Sequence, residues 1–189
     1  MRPWPKIAAW GRRPAPSWTM ILTDGVVSLS PPRDEDAPAV AAAVQASLAT
    51  LEVWMPWATP DYSAASARQW MTEARAAGCH AFVVRDPDDT VVGACGLQRV
   101  DALHGCVELG YWIGQDHTGL GYATRSARLA AGHAFGDLGF HRVELPIAVS
   151  NLLSQAVAER LGARVEGRLT DRVRTRGEWH EAFLYALIA

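Results

Sequence analysis

Apolar and polar positions alternate most clearly between Cys106 and Ile113, where Val107, Leu109, Tyr111 and Ile113 face one way and Glu108, Gly110 and Trp112 the other. That period of two predicts a strand, and Gly114 ends it. A turn follows, Thr118-Gly119-Leu120-Gly121-Tyr122-Ala123, and then an Ala/Leu-rich stretch with Leu129, His133 and Leu138 at helical spacing. The pattern is strand, glycine loop, helix.

The same reading extends along the chain. Ile21 to Leu29 predicts a first strand with a turn or bulge at Thr23-Asp24-Gly25, ended by Pro31-Pro32. Asp34-Glu35-Asp36 place acids in the first turn of an alanine-rich helix running to about Leu51, as the helix dipole favours. Pro56 and Pro60 make 52–60 a connection rather than a helix, although it carries Val53, Trp54, Met55 and Trp57. Ser63 caps a helix over 64–77 that Gly78 closes. Two strands, 81–84 and 90–97, flank the turn Asp86-Pro87-Asp88-Asp89. After the central strand and its helix come a strand over 142–149, a helix over 152–161, and a strand pair, 164–169 and 179–188, around Arg176-Gly177.

Length and composition describe one domain over 20–189 preceded by a Pro/Trp/Arg-rich tail over 1–19, expected to be flexible. With 49% hydrophobic residues the chain can bury a sizeable core, and no apolar run approaches the ~20 residues that span a bilayer. Arg12-Arg13 in the tail is followed by no apolar segment, so export is set aside and a cytoplasmic setting expected. The net charge of −2 divides into +4 from Arg2, Lys6, Arg12 and Arg13, with no acid among the first twenty residues, and −6 for the rest. An acidic body is a poor nucleic-acid surface. Cys79, Cys95 and Cys106 have neither disulfide-framework nor metal-type spacing, so reduced thiols and no metal are expected.

Glycines at a strand-to-helix turn let backbone N–H groups converge, and the helix start adds unpaired donors and a positive dipole end. Such a turn suits phosphate, or simply close packing. A P-loop would need Gly-Lys-Ser/Thr where Gly121-Tyr122-Ala123 stands, and a dinucleotide fingerprint would need a third glycine near Arg125.

With the later segment Ser150-Asn151-Leu152-Leu153-Ser154, and the Leu161-Gly162 that ends its helix, the chain resembles the GNAT acyltransferase superfamily, in its RimJ/RimL-like branch. The loop pattern Arg/Gln-x-x-Gly-x-Gly/Ala falls on Thr118, Gly121 and Ala123, and the Asn-x-x-Ser/Ala pattern on Asn151 and Ser154; the words ELGYWI and GYAT are also typical of the branch. The resemblance covers about Ile21 to Leu187. It implies an α/β fold, with a mostly antiparallel mixed sheet of six to seven strands, a splayed strand pair and about four flanking helices. It also implies acyl transfer from acetyl-CoA to a primary amine, on a protein N-terminus or a small molecule, without a metal and with homodimers common. A catalytically inactive acyl-CoA-binding domain is the alternative.

Carried onto this chain, the resemblance makes Tyr111 and Ile113 backbone partners of pantetheine. The stretch Thr118, Gly119, Leu120, Gly121, Tyr122, Ala123 and Thr124 would hold the CoA phosphates. Thr118 departs from the family's Arg or Gln; its hydroxyl could still donate to phosphate, or Arg125 could compensate. Arg160 is a candidate for the 3′-phosphate or a plain surface arginine. The usual tyrosine acid is replaced by Ala158, which leaves Ser154 as candidate acid, with Asn151 as helix cap and CoA contact. Glu108, an acid in an apolar strand where partial burial would raise its pKa, is the candidate base or else a carboxylate on a solvated strand face, with water or Asp171 behind it. Trp54, Met55 and Trp57, with the terminal hairpin, would contact the amine substrate, as would Glu108; a core role is the other reading for each tryptophan, and sooner for one of the pair than for both.

Overall fold

A computed structural model describes residues 20–189, so the tail over 1–19 lies outside the described residues. The order is β1 (Leu22–Thr23), β2 (Ser28–Ser30), α1 (Ala37–Ala46), α2 (Leu48–Leu51), α3 (Ala64–Ala76), β3 (His80–Arg85), β4 (Val91–Asp101) and β5 (Cys106–Ile113). It continues with α4 (Tyr122–Gly136), β6 (Arg142–Ala148), α5 (Leu152–Leu161), β7 (Arg164–Thr175) and β8 (Glu178–Ile188). All eight strands form one sheet in the order β1-β2-β3-β4-β5-β6-β8-β7, antiparallel except where β5 meets β6. No described helix is long and apolar enough to cross a membrane.

The expected counts of strands and helices are each exceeded by a split. Asp24 Oδ1 accepts from the N–H groups of Val26 and Val27, both at 3.0 Å, and turns the first strand into the hairpin β1–β2. The acidic segment Asp34–Asp36 is a 3-10 turn, and the helix after it breaks at Ser47 instead of running to Leu51. Ser47 is buried, and its Oγ accepts from the Gln115 N–H at 2.8 Å. A long-range hydrogen bond thus ties the α1–α2 junction to the turn after β5. Ser63 does cap α3, with Ser66 returning the bond in a capping box.

Each face of the sheet carries its own core. Val107 and Leu109 of β5 pack with Val143 and Leu145 of β6 against Ala127, Ala130 and Ala134 of α4 and Val157 of α5. The opposite face packs Val83, Ala94 and Trp112 against Val40 and Val44 of α1 and Met71 of α3. Alternation along β5 and β6 therefore sends Glu108, Gly110, Trp112 and Glu144 to the α1/α3 face.

The feature that positions a site lies between β5 and β6. Their pairing comprises Cys106↔Arg142, Val107↔Val143 and Glu108↔Glu144. Beyond that seam Leu109–Ile113 pairs only with β4, and Leu145–Ala148 only with β8. The two strands part, and each presents backbone N–H and C=O groups to the gap that a ligand or water must satisfy.

Candidate active site

At the open end of the gap, on the α4/α5 face, β5 runs through Gly114 and a 3-10 turn, 115–117, into the loop before α4. Gly119 and Gly121 adopt φ of +78° and +79°, a left-handed conformation that costs any residue with a Cβ about 1–2 kcal/mol. Gly121 is the N-cap of α4. Thr118, Gly119, Leu120 and Gly121 are exposed, so the loop and the first N–H groups of a 15-residue helix stand open to solvent.

Thr118 and Arg125 are both engaged within the chain. The Thr118 hydroxyl donates to the Gln115 carbonyl at 2.8 Å and stabilises the turn, rather than being held out towards a ligand. The Arg125 guanidinium donates to Asp24 Oδ2 at 2.6 Å, joining α4 to the β1–β2 turn. An anion placed at this corner would therefore meet backbone N–H groups and the helix dipole, an arrangement that needs no side-chain cation. Arg160 is exposed on α5.

Across the gap, Asn151 Oδ1 accepts from the Ser154 N–H at 3.1 Å and caps α5. Ser154 is half-buried. The Tyr111 phenol donates to the Ser154 carbonyl at 3.3 Å and lies 3.4 Å from the Ser154 hydroxyl oxygen, so the side chain of β5 reaches α5. Burial pushes the Tyr111 phenol up to about 12, with the Ser154 hydrogen bond opposing the shift and nearby Cys95 adding to it. The phenol keeps its proton across the physiological range. Sequence reasoning assigned Tyr111 through its backbone alone; the absent tyrosine at position 158 was the one signal that a phenol from another element could serve there.

Glu108 sits at the point where the strands part, on the opposite face. It is buried at 9% exposure, and its two carboxylate oxygens are bracketed by Arg172 at 2.6 Å and Arg99 at 3.3 Å. Its register partner Glu144 is matched by Arg142 at 2.7 Å. From sequence the carboxylate was expected either partly buried beside the cleft or on a solvated strand face, with no partner named. The structure adds two guanidinium partners, supplied by bulges in β4 and β7, where Arg99 and Asp171 have φ of +49°. Asp171 itself is exposed.

The connection between α2 and α3 divides its tryptophans. Met55 and Trp57 line a cavity of about 600 Å³ on the α1/α3 face, together with Tyr62, Trp70, Gln98, Gly110, Tyr111 and Trp112. Trp54 turns away, into a small hollow with Ser150, Thr175, Arg176 and His180 at the tip of the β7–β8 hairpin. Glu52 and Arg176, 2.5 Å apart, fasten this connection to the hairpin. Of the two tryptophans expected to contact substrate, the structure brings only Trp57 to the large cavity. The two were indistinguishable in sequence, since both stand beside Pro56 on one irregular segment.

The parts lie around one gap in the sheet: a glycine loop and helix start on one face, parted strand edges between, and on the other face a cavity and the buried Glu108. Comparison with known proteins gives this arrangement a family. A model described as an acetyltransferase (GNAT) domain matches residues 27–164. The chain belongs to the GNAT acetyltransferases. Among individual GNAT relatives, it is 34% identical over 101 residues to YdaF of Bacillus subtilis (strain 168), provisionally named a ribosomal N-acetyltransferase; the match covers 53% of this chain and 55% of that one. The chain thus aligns with about half the length of that relative. RimJ of Mycobacterium smegmatis, solved in complex with CoA-disulfide, superposes with a TM-score of 0.81 at 27% identity over 89% of this chain and 85% of that one. A RimL structure, titled a ribosomal L7/L12 alpha-N-protein acetyltransferase in complex with coenzyme A, has the same fold, with a TM-score of 0.83 at 20% identity over 89% and 98%. Among the described residues no cluster of His, Cys, Asp and Glu could hold a metal ion, and the three cysteines are free.

Proposed function

We propose that the chain transfers an acetyl group from acetyl-CoA to a primary amine, by direct attack of the amine on the thioester. The observation that carries this reading is the parting of β5 and β6 after Glu108/Glu144, with the glycine loop on one side of the gap and the cavity on the other. Pantetheine is a chain of amides, and the strand edges around Tyr111 and Ile113 offer it complementary hydrogen bonds. The pyrophosphate then falls at the loop from Thr118 to Thr124, and Asn151 and Ser154 flank the thioester end.

In the reaction the C–N bond forms as the C–S bond breaks. The amine gives up a proton, and the CoA thiolate takes one. Holding both partners in line converts a bimolecular step into an effectively unimolecular one, which is the larger part of what such a site supplies. Ser154 protonates the departing thiolate, with the Tyr111 phenol fixing its position. Glu108, through water, accepts the amine proton. Its guanidinium partners Arg99 and Arg172 balance its charge whenever the carboxylate is ionised.

The protein N-terminus named for the RimL structure and a small-molecule amine are both acceptors this chemistry allows. A cytoplasmic setting and a homodimer accompany the reading, the latter checked by light scattering at micromolar concentration. The deciding experiment binds acetyl-CoA by calorimetry and then follows CoA thiol release across a panel of amines. Release with an amine present and not without it supports transfer; tight binding with no release from any amine leaves an acyl-CoA-binding domain.

A further inference from the structure

The cavity on the α1/α3 face has a chemical bias that the reaction does not require. Five aromatic residues line it, Trp57, Tyr62, Trp70, Tyr111 and Trp112, and Trp57 is the hub, with ring centroids 5.5 Å from Tyr62 and 6.1 Å from Trp112. Burial pushes the Tyr62 phenol above its usual value, so that ring stays neutral. Gln69 and Glu73 lie one turn apart on α3 and both line the cavity, with Gln69 Nε2 donating to Glu73 Oε1 at 2.8 Å. Among the described residues no arginine or lysine lines the cavity. Arg99 and Arg172, which are not among its lining residues, are engaged with Glu108.

Aromatic faces carry negative potential and attract a desolvated cation. A carboxylate or phosphate entering this space would meet ring faces and Glu73, with no positive partner. An ammonium group meets the opposite: rings that replace part of its hydration, and a carboxylate of opposite sign. Among acceptor amines, the lining therefore discriminates by what the molecule carries besides the amine that reacts.

We propose that the acceptor is a small amine bearing a second cationic ammonium group, which seats among Trp57, Tyr62 and Trp112 with Glu73 supplying the opposing charge, while its free primary amine points to the gap beside Gly110. The choice of acceptor rests on the acetyl-transfer reading, but the cation site does not.

The test uses 4-aminobutyltrimethylammonium, its isostere 5,5-dimethylhexylamine that lacks the second charge, 5-aminopentanoate with a carboxylate in its place, and a short peptide beginning with serine. Binding to the CoA-saturated protein is measured by calorimetry, and kcat/KM by thiol release. A cation–π preference amounts to about three- to thirtyfold. The expected result is a preference of that size for the cationic probe over its isostere in both measurements. It should be lost in Trp57→Ala, kept in Trp57→Phe, and reduced in Glu73→Gln. Equal or tighter binding of the isostere, the aminopentanoate or the peptide overturns the proposal, as does a preference that survives Trp57→Ala. Selective binding without turnover of any amine keeps the cation site and overturns acetyl transfer. Turnover without selective binding does the reverse.

Discussion

The Tyr111 phenol oxygen lies 3.4 Å from the Ser154 hydroxyl oxygen, joining the strand on one side of the gap to the helix on the other. Because burial holds that phenol in its protonated form, it is a steady donor that limits where the serine hydroxyl can point. If Ser154 protonates the thiolate, Ser154→Ala lowers kcat by about 10²-fold with little change in acetyl-CoA affinity, since the proton is needed chiefly in the transition state. Tyr111→Phe removes the positioning contact and lowers kcat less, by about tenfold, at a stability cost of about 1 kcal/mol. Steady-state kinetics with calorimetric affinities separates the two. A change in kcat below about fivefold for Ser154→Ala leaves the serine a structural residue of the first turn of α5.

Glu108→Gln lowers kcat, and part of the loss returns at higher pH. The reasoning concerns the substrate: an alkyl amine titrates near ~10.4, so raising the pH supplies the neutral nucleophile that a base would otherwise generate. A variant whose pH profile runs parallel to the parent's removes Glu108 from proton transfer and leaves it the role of anchoring Arg99 and Arg172. Arg172→Ala then becomes informative. It strips one partner from a buried carboxylate and is expected to cost about 1–3 kcal/mol of stability, read by urea denaturation.

Gly121→Val tests the loop. An added Cβ meets no atom within 4 Å, so the strain comes from φ of +79° and not from crowding. Valine there is expected to turn the backbone N–H groups away from the phosphates and weaken acetyl-CoA binding more than tenfold, while circular dichroism remains that of a folded chain. Unchanged affinity in calorimetry removes the phosphate assignment from this loop.

His80 makes stability depend on pH. Burial, reinforced by the charge of His133 whose ring lies 5.5 Å away, pushes the folded His80 down to about 4, against 6.5 for the free side chain. The folded chain keeps this imidazole neutral while the unfolded chain protonates it. His80 therefore favours folding fully above about 6.5, and the advantage fades as pH falls towards about 4. Urea midpoints measured between pH 7 and pH 4.5 should fall with acidification, and more gently in His80→Gln.

Much of the architecture was legible because it depends on local rules. Alternation named β5, a serine cap began α3, and Gly121 and Gly162 marked a helix start and a helix end that the structure places where expected. What could not be read has one physical origin, pairing between residues far apart in sequence. The break at Ser47 exists for an N–H 68 positions later, and the bracket on Glu108 comes from an arginine 64 positions away. Trp54 and Trp57 separate because Glu52 is held by Arg176, 124 positions on. The site suffers most from this blindness, since its walls come from four distant segments, whereas each helix carries its own signals.

The three paired positions between β5 and β6 also make the sheet two plates held by a short hinge line, β1 to β5 on one side and β6 to β8 on the other. A molecule that lies along the parted edges extends that hinge line with hydrogen bonds of its own. On the proposed function, coenzyme binding would be a suture as well as a step in turnover. At a hundredfold excess over Kd it adds about 2.7 kcal/mol to the folded state. With the gap empty, the amide hydrogens of 109–113 and 145–148 that face it should exchange with solvent sooner than those at the seam.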